Sequence, residues 1–225
     1  MSRKILIGLF LLSSCIAHAQ EKAFQFGFEL APNIGWISPK TENYNNNGIR
    51  AGFSWGFVGD IYLVENYAIN TGLKFIYLNG KYEYPEKRDN VPGRTERKIN
   101  SNYLQIPGVL RMRTQEISNG YSVYGDFGFA LSLRLNASAN ERFYVNDRLF
   151  GTNNKKDVDN ELRYSRTSML LGAGVYKDLA ESTKLMLGLR WDNNILNVLK
   201  GTNNLSGDKI KGSFHFVEMK IGVLF

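Results

Sequence analysis

The chain has 225 residues, a formal net charge of +7 and a single cysteine. That length suits one domain or one barrel, and a lone cysteine excludes an internal disulfide and a cysteine-built metal site. The positive residues are spread along the chain and interleaved with acids, so no basic patch points to nucleic acid as a partner.

The first residues differ from the rest. "MSRK" is a short basic start, "ILIGLFLLSS" an apolar run, and "AHA" (Ala17 to Ala19) a small-x-small cleavage site. Together they predict a secretory signal peptide over 1–19 and a mature domain over 20–225. A competing reading takes "LSSC" as a lipoprotein processing site with Cys15 lipidated. After this segment no apolar run approaches the roughly 20 residues a spanning helix needs.

From there the pattern is alternation with a period of two, the mark of β-strands. In "FQFGFELAPNIGWIS" the residues Phe24, Phe26, Phe28, Leu30, Ile34 and Trp36 share one face, opposite Gln25, Gly27, Glu29 and Asn33. "AGFSWGFVGDIY" sets Phe53, Trp55, Phe57 and Ile61 against Gly56 and Asp60. "YAINTGLKFIYLNGKYEY" sets Tyr67, Ile69, Leu73, Phe75 and Tyr77 against Asn70, Gly72 and Lys74. "YLQIPGVLRMR" sets Leu104, Ile106, Leu110 and Met112 against Gln105, Arg111 and Arg113, and Pro107 within it predicts a local bulge.

The second half continues the habit. "YSVYGDFGFALSLRLN" opposes Phe127, Phe129, Leu131, Leu133 and Leu135 to Asp126, Gly128, Ser132 and Arg134. "YSRTSMLLGAGVYKD" opposes Met169, Leu171 and Val175 to Arg166, Gly172 and Gly174, and "KLMLGLRWD" opposes Leu187, Leu189 and Trp191 to Gly188, Arg190 and Asp192. The closing "FVEMKIGVLF" opposes Val217, Met219, Ile221, Val223 and Phe225 to Glu218, Lys220 and Gly222. That makes eight strands. The connections near 64–66, 114–120 and 179–183 are short; those near 39–47, 85–100, 138–162 and 198–212 are long and polar.

The glycines decide which face points inward. They recur on the charged side, where a solvent face has no use for residues that weaken strands. An eight-stranded bore has room only for side chains. The apolar side is bulky and aromatic throughout, as a lipid-facing wall is. The sequence therefore predicts an all-β fold, an eight-stranded antiparallel up-and-down transmembrane β-barrel of the OmpA/OmpX size class, plugged from within. A soluble lipocalin-like ligand binder is the alternative that alternation alone leaves open. The predicted lumen charge network is Glu29, Asp60, Lys74, Arg111, Arg113, Asp126, Arg134, Arg166, Arg190, Asp192, Glu218 and Lys220. Confined charges of both signs must pair, because an unpaired buried charge costs several kcal/mol.

The signal ending "AHAQ", the opening strand, "YLQIPGVLRMR", "MLLGAGVYKDL" and the terminal "KIGVLF" together resemble the PorT-like outer-membrane β-barrel family of Bacteroidetes-type bacteria. The resemblance implies localisation in the outer membrane, with short turns and termini periplasmic and long loops extracellular. It implies a non-enzymatic role supporting protein secretion or cell-surface assembly, with a secretion-system or surface protein as partner alongside outer-membrane lipid. It also makes the stripe Val217, Met219, Ile221, Val223 and Phe225 a signal read by the barrel-assembly machinery. A structural or adhesion barrel is the second reading, and a lipid-modifying barrel enzyme the third.

No catalytic, cofactor-binding or metal-binding residue is predicted. His215, on the apolar parity of the last strand with Ser213 nearby, reads as interfacial. "DVDNE" carries Asp157, Asp159 and Glu161, but Leu162 stands where a calcium loop needs glycine, so these acids read as solvated. "PEKRDNVPGRTERKIN" reads as a solvated loop or a surface for protein or acidic sugars.

Overall fold

The computed structural model describes residues 24–180 and 182–225. The predicted signal segment and Cys15 lie outside the described residues. Among the described residues there are ten strands: β1 (Phe24–Pro39), β2 (Asn45–Asn46), β3 (Arg50–Val64), β4 (Tyr67–Arg88), β5 (Val91–Arg113), β6 (Tyr121–Val145), β7 (Arg148–Asp157), β8 (Ser165–Ala180), β9 (Thr183–Asn194) and β10 (Gly212–Leu224). Eight of them, all but β2 and β7, pair antiparallel with their neighbours in a ring. The ring closes where β10 pairs with β1, from Gly27↔Leu224 up to Pro39↔Gly212. Phe225 N–H adds a last rung by donating to Phe26 O at 2.7 Å.

The alternation behaves as a lipid-facing barrel requires. Phe26, Phe57, Phe129, Leu189 and Met219 are exposed on the outer wall, while Glu29, Asp60, Lys74, Asp126 and Lys220 are almost wholly buried. A ring with no free edge satisfies its backbone groups internally, which hydrocarbon demands. Among the described residues no helix is long and apolar enough to cross a membrane; the crossing is made by strands.

Two expectations need correction. The segments 85–100 and 138–162 are largely strand rather than loop. β4 and β5 continue past the barrel to a two-residue turn at Asp89–Asn90, and β6 and β7 turn at Asn146–Asp147. All four turn residues have φ between 47° and 64°, the left-handed geometry of the type I′ hairpin that Asn and Asp tolerate. These extensions form a protruding sheet, β4–β5–β6–β7, that stands on the barrel as a tower. On the outer wall Trp55 pairs with Leu30 and stacks on Phe75 at 4.7 Å between ring centroids.

Pro107 causes no bulge either. The β4–β5 register is the same on both sides of it, and the ladder only skips the rungs beside it. The Thr71 hydroxyl instead donates to Pro107 O at 2.8 Å. The shift in β5–β6 lies elsewhere, between Asn102↔Asn136 and Tyr103↔Arg134, which leaves Leu135 as an extra residue on β6. Below it the even-numbered residues of β6 point inward (Asp126, Ser132, Arg134); above it the odd ones do (Ala137, Ala139, Glu141, Phe143).

The glycines on the inner face make room for specific neighbours. A Cβ at Gly188 would collide with the Tyr124 hydroxyl, and one at Gly174 with Leu187 O and with the same ring. Tyr124 Oη has no hydrogen-bond partner among the described residues, so its loss costs no bond there. Gly188→Ala is expected to lower stability by about 1–3 kcal/mol through overpacking, and adding Tyr124→Phe should restore only part of it, because Ala173 O still stands 2.9 Å from the new Cβ. Urea unfolding in detergent, read by tryptophan fluorescence, measures both.

Candidate functional site

The bore is filled in storeys. Nearest the short-turn end, Tyr62 donates to Gln25 Oε1 at 2.7 Å, with the Arg113 guanidinium over its ring. Above them lies a continuous chain of ion pairs. Arg111 reaches Asp60 at 3.0 Å and grips both Asp126 oxygens at 2.8 and 2.9 Å. Asp126 also receives Arg190 at 2.8 Å and Lys220 at 3.3 Å. Lys220 lies 3.7 Å from Glu29, which binds Lys74 at 2.7 Å, and Lys74 binds Glu218 at 2.6 Å. Polar neighbours complete the shell: Asn70 donates to Asp60 at 2.6 Å, and the Ser54 hydroxyl to Glu218 at 2.9 Å.

A separate pair, Arg166 with Asp192, sits higher, with Gln105 donating to Asp192 at 2.9 Å. The Arg166 guanidinium lies over Phe216 at 5.3 Å, and that ring opens a third, apolar storey. Ile37, Ile76, Leu78, Tyr103, Phe214 and Phe216 are all buried there and pack as one cluster that continues into the tower.

So ten of the twelve residues predicted for the lumen lie in these two ion-paired groups. The other two do not. Arg113 makes no ion pair among the described residues and stacks on Tyr62 at the short-turn rim. Arg134 lies above both groups, donating to Leu162 O at 2.9 Å with Asp159 at 3.5 Å. The reason is height: strand parity assigns a side chain to a face but not to a level.

The tower holds a charge cluster of its own, which the loop reading missed. Arg97, 6% exposed, pairs with both Glu141 and Glu161. Arg88 reaches Glu141 at 2.7 Å, and Lys156 reaches Glu161 at 2.9 Å. Glu161 is therefore not a solvated loop acid. Asp159 is also engaged: its carboxylate accepts Ala137 N–H at 2.8 Å, while Asp157 accepts Asp159 N–H at 2.8 Å. Beside Arg97, the rings of Tyr44 and Tyr84 stack at 5.0 Å, and Asn203 fastens the last long loop to them. Its amide donates to Tyr44 Oη and Pro85 O, each at 2.8 Å. A cavity of about 220 Å³ remains between this loop and the tower.

Ser213 and His215 do not form a reactive pair. The Ser213 hydroxyl donates to Leu196 O at 3.3 Å, His215 stacks on Trp36 at 5.9 Å, and His215 Nδ1 has no hydrogen-bond partner among the described residues.

A closed eight-stranded ring with an apolar outer wall and a charged, filled bore defines a small outer-membrane β-barrel protein. The chain belongs to the outer membrane protein beta-barrel domain family, whose profile matches residues 18–200. The match stops short of β10, the strand that closes the ring. Among solved structures it is similar to neisserial surface protein A (TM-score 0.43, 13% identity, covering 90% of this chain and 96% of that one). It is also similar to OprG from Pseudomonas aeruginosa (TM-score 0.39, 10% identity, 90% and 95% covered). A third is Ail, the attachment invasion locus protein of Yersinia pestis (TM-score 0.36, 11% identity, 90% and 99% covered). No curated protein matches the sequence.

Two outcomes follow from the two charge clusters. Asp126→Asn leaves Arg111, Arg190 and Lys220 facing a neutral amide, and breaking a buried pair of this kind costs about 3–5 kcal/mol. Arg113→Ala, at the rim, should cost far less in the same urea titration. In the tower, burial by itself would raise the Glu141 and Glu161 carboxyls, but Arg97 and Lys156 outweigh it and hold both below their ordinary 4.5. Their contribution to stability is complete above that ordinary value and is lost as pH falls through the lowered folded values. Amide exchange in the tower, corrected for its intrinsic pH dependence, should accelerate as pH drops below that ordinary value.

Proposed function

We propose that this chain is a non-enzymatic, non-conducting outer-membrane barrel that works as a rigid platform, presenting its tower to a protein or surface partner. The observation that carries this reading is continuity. The strands that cross the membrane run on unbroken into the tower, above a bore closed by ion pairs and an apolar storey. A site built on strands of the scaffold is held more rigidly than one on mobile loops. In this reading the short turns face the periplasm and the tower faces outward. The terminal stripe from Val217 to Phe225 serves as the assembly tag. The resemblance to PorT-like barrels makes secretion or surface assembly the first use of the platform, and adhesion the second.

The test is to excise Tyr84–Thr95 and join Glu83 to Glu96, which face each other across β4 and β5, through an Asn-Gly turn. The shortened barrel is expected to keep its mobility shift on boiling in a detergent gel. Loss of secreted cargo supports the first use, and loss of surface binding alone the second. If neither changes, the platform reading fails. In planar bilayers the parent protein should show no steady conductance.

A further inference from the structure

The barrel wall has a seam where β6 changes partner. β6 pairs with β8 up to Leu133↔Ser165, with Arg134 N–H donating to Tyr164 O at 2.7 Å as the last link. From Ser138↔Asp157 upward its partner is β7 instead. The chain leaving β7 makes a short 3₁₀ turn over Asp159–Glu161 and descends through Leu162, which bridges to Leu199. Between these paths the wall carries an open notch of about 390 Å³, lined by Arg134, Asp159, Asn160, Arg163, Tyr164 and Lys200.

The notch is strongly unbalanced in charge, with three cations against the single carboxylate of Asp159. Arg134 is mostly buried and held by the Leu162 carbonyl, with Asp159 at 3.5 Å. Arg163 and Lys200 make no ion pair among the described residues, although their backbones are clamped. Arg163 N–H donates to Val198 O and Lys200 N–H to Glu161 O, each at 2.8 Å. Such unspent cations beside a guanidinium fork suit a tetrahedral oxyanion.

What surrounds the notch narrows the ligand. The outer wall beside and below it is apolar: Leu131, Leu135, Ile195 and Leu196 are about half exposed, and Tyr164 is 63% exposed. Ile195 N–H donates to Thr167 O at 2.9 Å, which fixes that patch against β8. Cations above an apolar wall, at the upper margin of the lipid-facing belt, match a molecule with a phosphate head and hydrocarbon tails. We propose that this notch is a lipid-phosphate site: the headgroup phosphate sits between Arg134, Arg163 and Lys200, and the acyl chains lie on the wall below. The site needs only that the barrel is in a bilayer, so it stands apart from the platform reading.

The experiment uses the full chain in neutral detergent, with retained lipid counted by native mass spectrometry. The probes are dioleoyl phosphatidic acid, dioleoylglycerol and inorganic phosphate. One phosphatidic acid per barrel is expected to be retained, and inorganic phosphate in large excess should not displace it. Arg163→Gln with Lys200→Gln should weaken retention by about tenfold or more while leaving dioleoylglycerol binding unchanged. Lys87→Gln, on the exposed tower tip, should leave retention at the parent level. The boiling shift shows that each variant is folded. Equal retention by the Arg163/Lys200 variant overturns the site, as does an equal loss in Lys87→Gln. Displacement by inorganic phosphate overturns the assignment to lipid and makes the notch a free-anion site.

Discussion

The pairing of β1 with β10 is the constraint on which the rest of the structure hangs. A backbone group left unpaired in hydrocarbon costs several kcal/mol, so an eight-stranded wall is viable only as a closed ring. Closure fixes the bore at a width that side chains alone must fill. That in turn sets where glycines must stand to admit Tyr124, and why charges of both signs occur inside: once water is excluded, each needs a partner. Phe225 extends the pairing by one more rung through Phe26.

Asp126 is the hub of the interior. It draws cations from three different strands, Arg111 on β5, Arg190 on β9 and Lys220 on β10, and so ties distant sectors of the ring together across the bore. The apolar storey above works differently. Phe214, Phe216, Ile37 and Leu78 need no specific partners, and they carry the packing upward from the barrel into the tower. The lower bore is thus held by directional pairing and the storey above it by shape. The Arg166–Asp192 pair, with Phe216 against the guanidinium, stands at the border between the two.

The architecture was legible because a period-2 pattern survives wherever a wall separates two unlike media. Phe26 against Glu29, or Met219 against Lys220, states the inside and the outside directly. The tower was not legible because neither of its faces meets lipid, so residues such as Arg94, Glu96 and Lys98 alternate with Thr95, Arg97 and Ile99 without a clean contrast. The signal that marks it is local instead: Asp89–Asn90 and Asn146–Asp147 are turn dipeptides, each flanked by residues able to form strand. The tower's ion pairs escaped for the same reason, since Arg97 and Glu161 look like solvated charge until the hairpins bring them together. Arg113 and Arg134 lie outside the two ion-paired groups of the bore, because alternation assigns a face and says nothing about depth.

The extra residue at Leu135 has a consequence for how such a protein can change. Below it and above it, β6 is written in two different phases, and a one-residue slip in a strand moves its whole inward set to the other side. The tower is therefore coupled to the barrel through a spacer that acts as a phase shifter. A hairpin taken from another barrel can replace this one only if it carries the same offset. A graft made without it would turn Ala139, Glu141 and Phe143 out to solvent and draw their neighbours in. The extra residue thus separates two phases within β6, one that belongs to the wall and one that belongs to the tower.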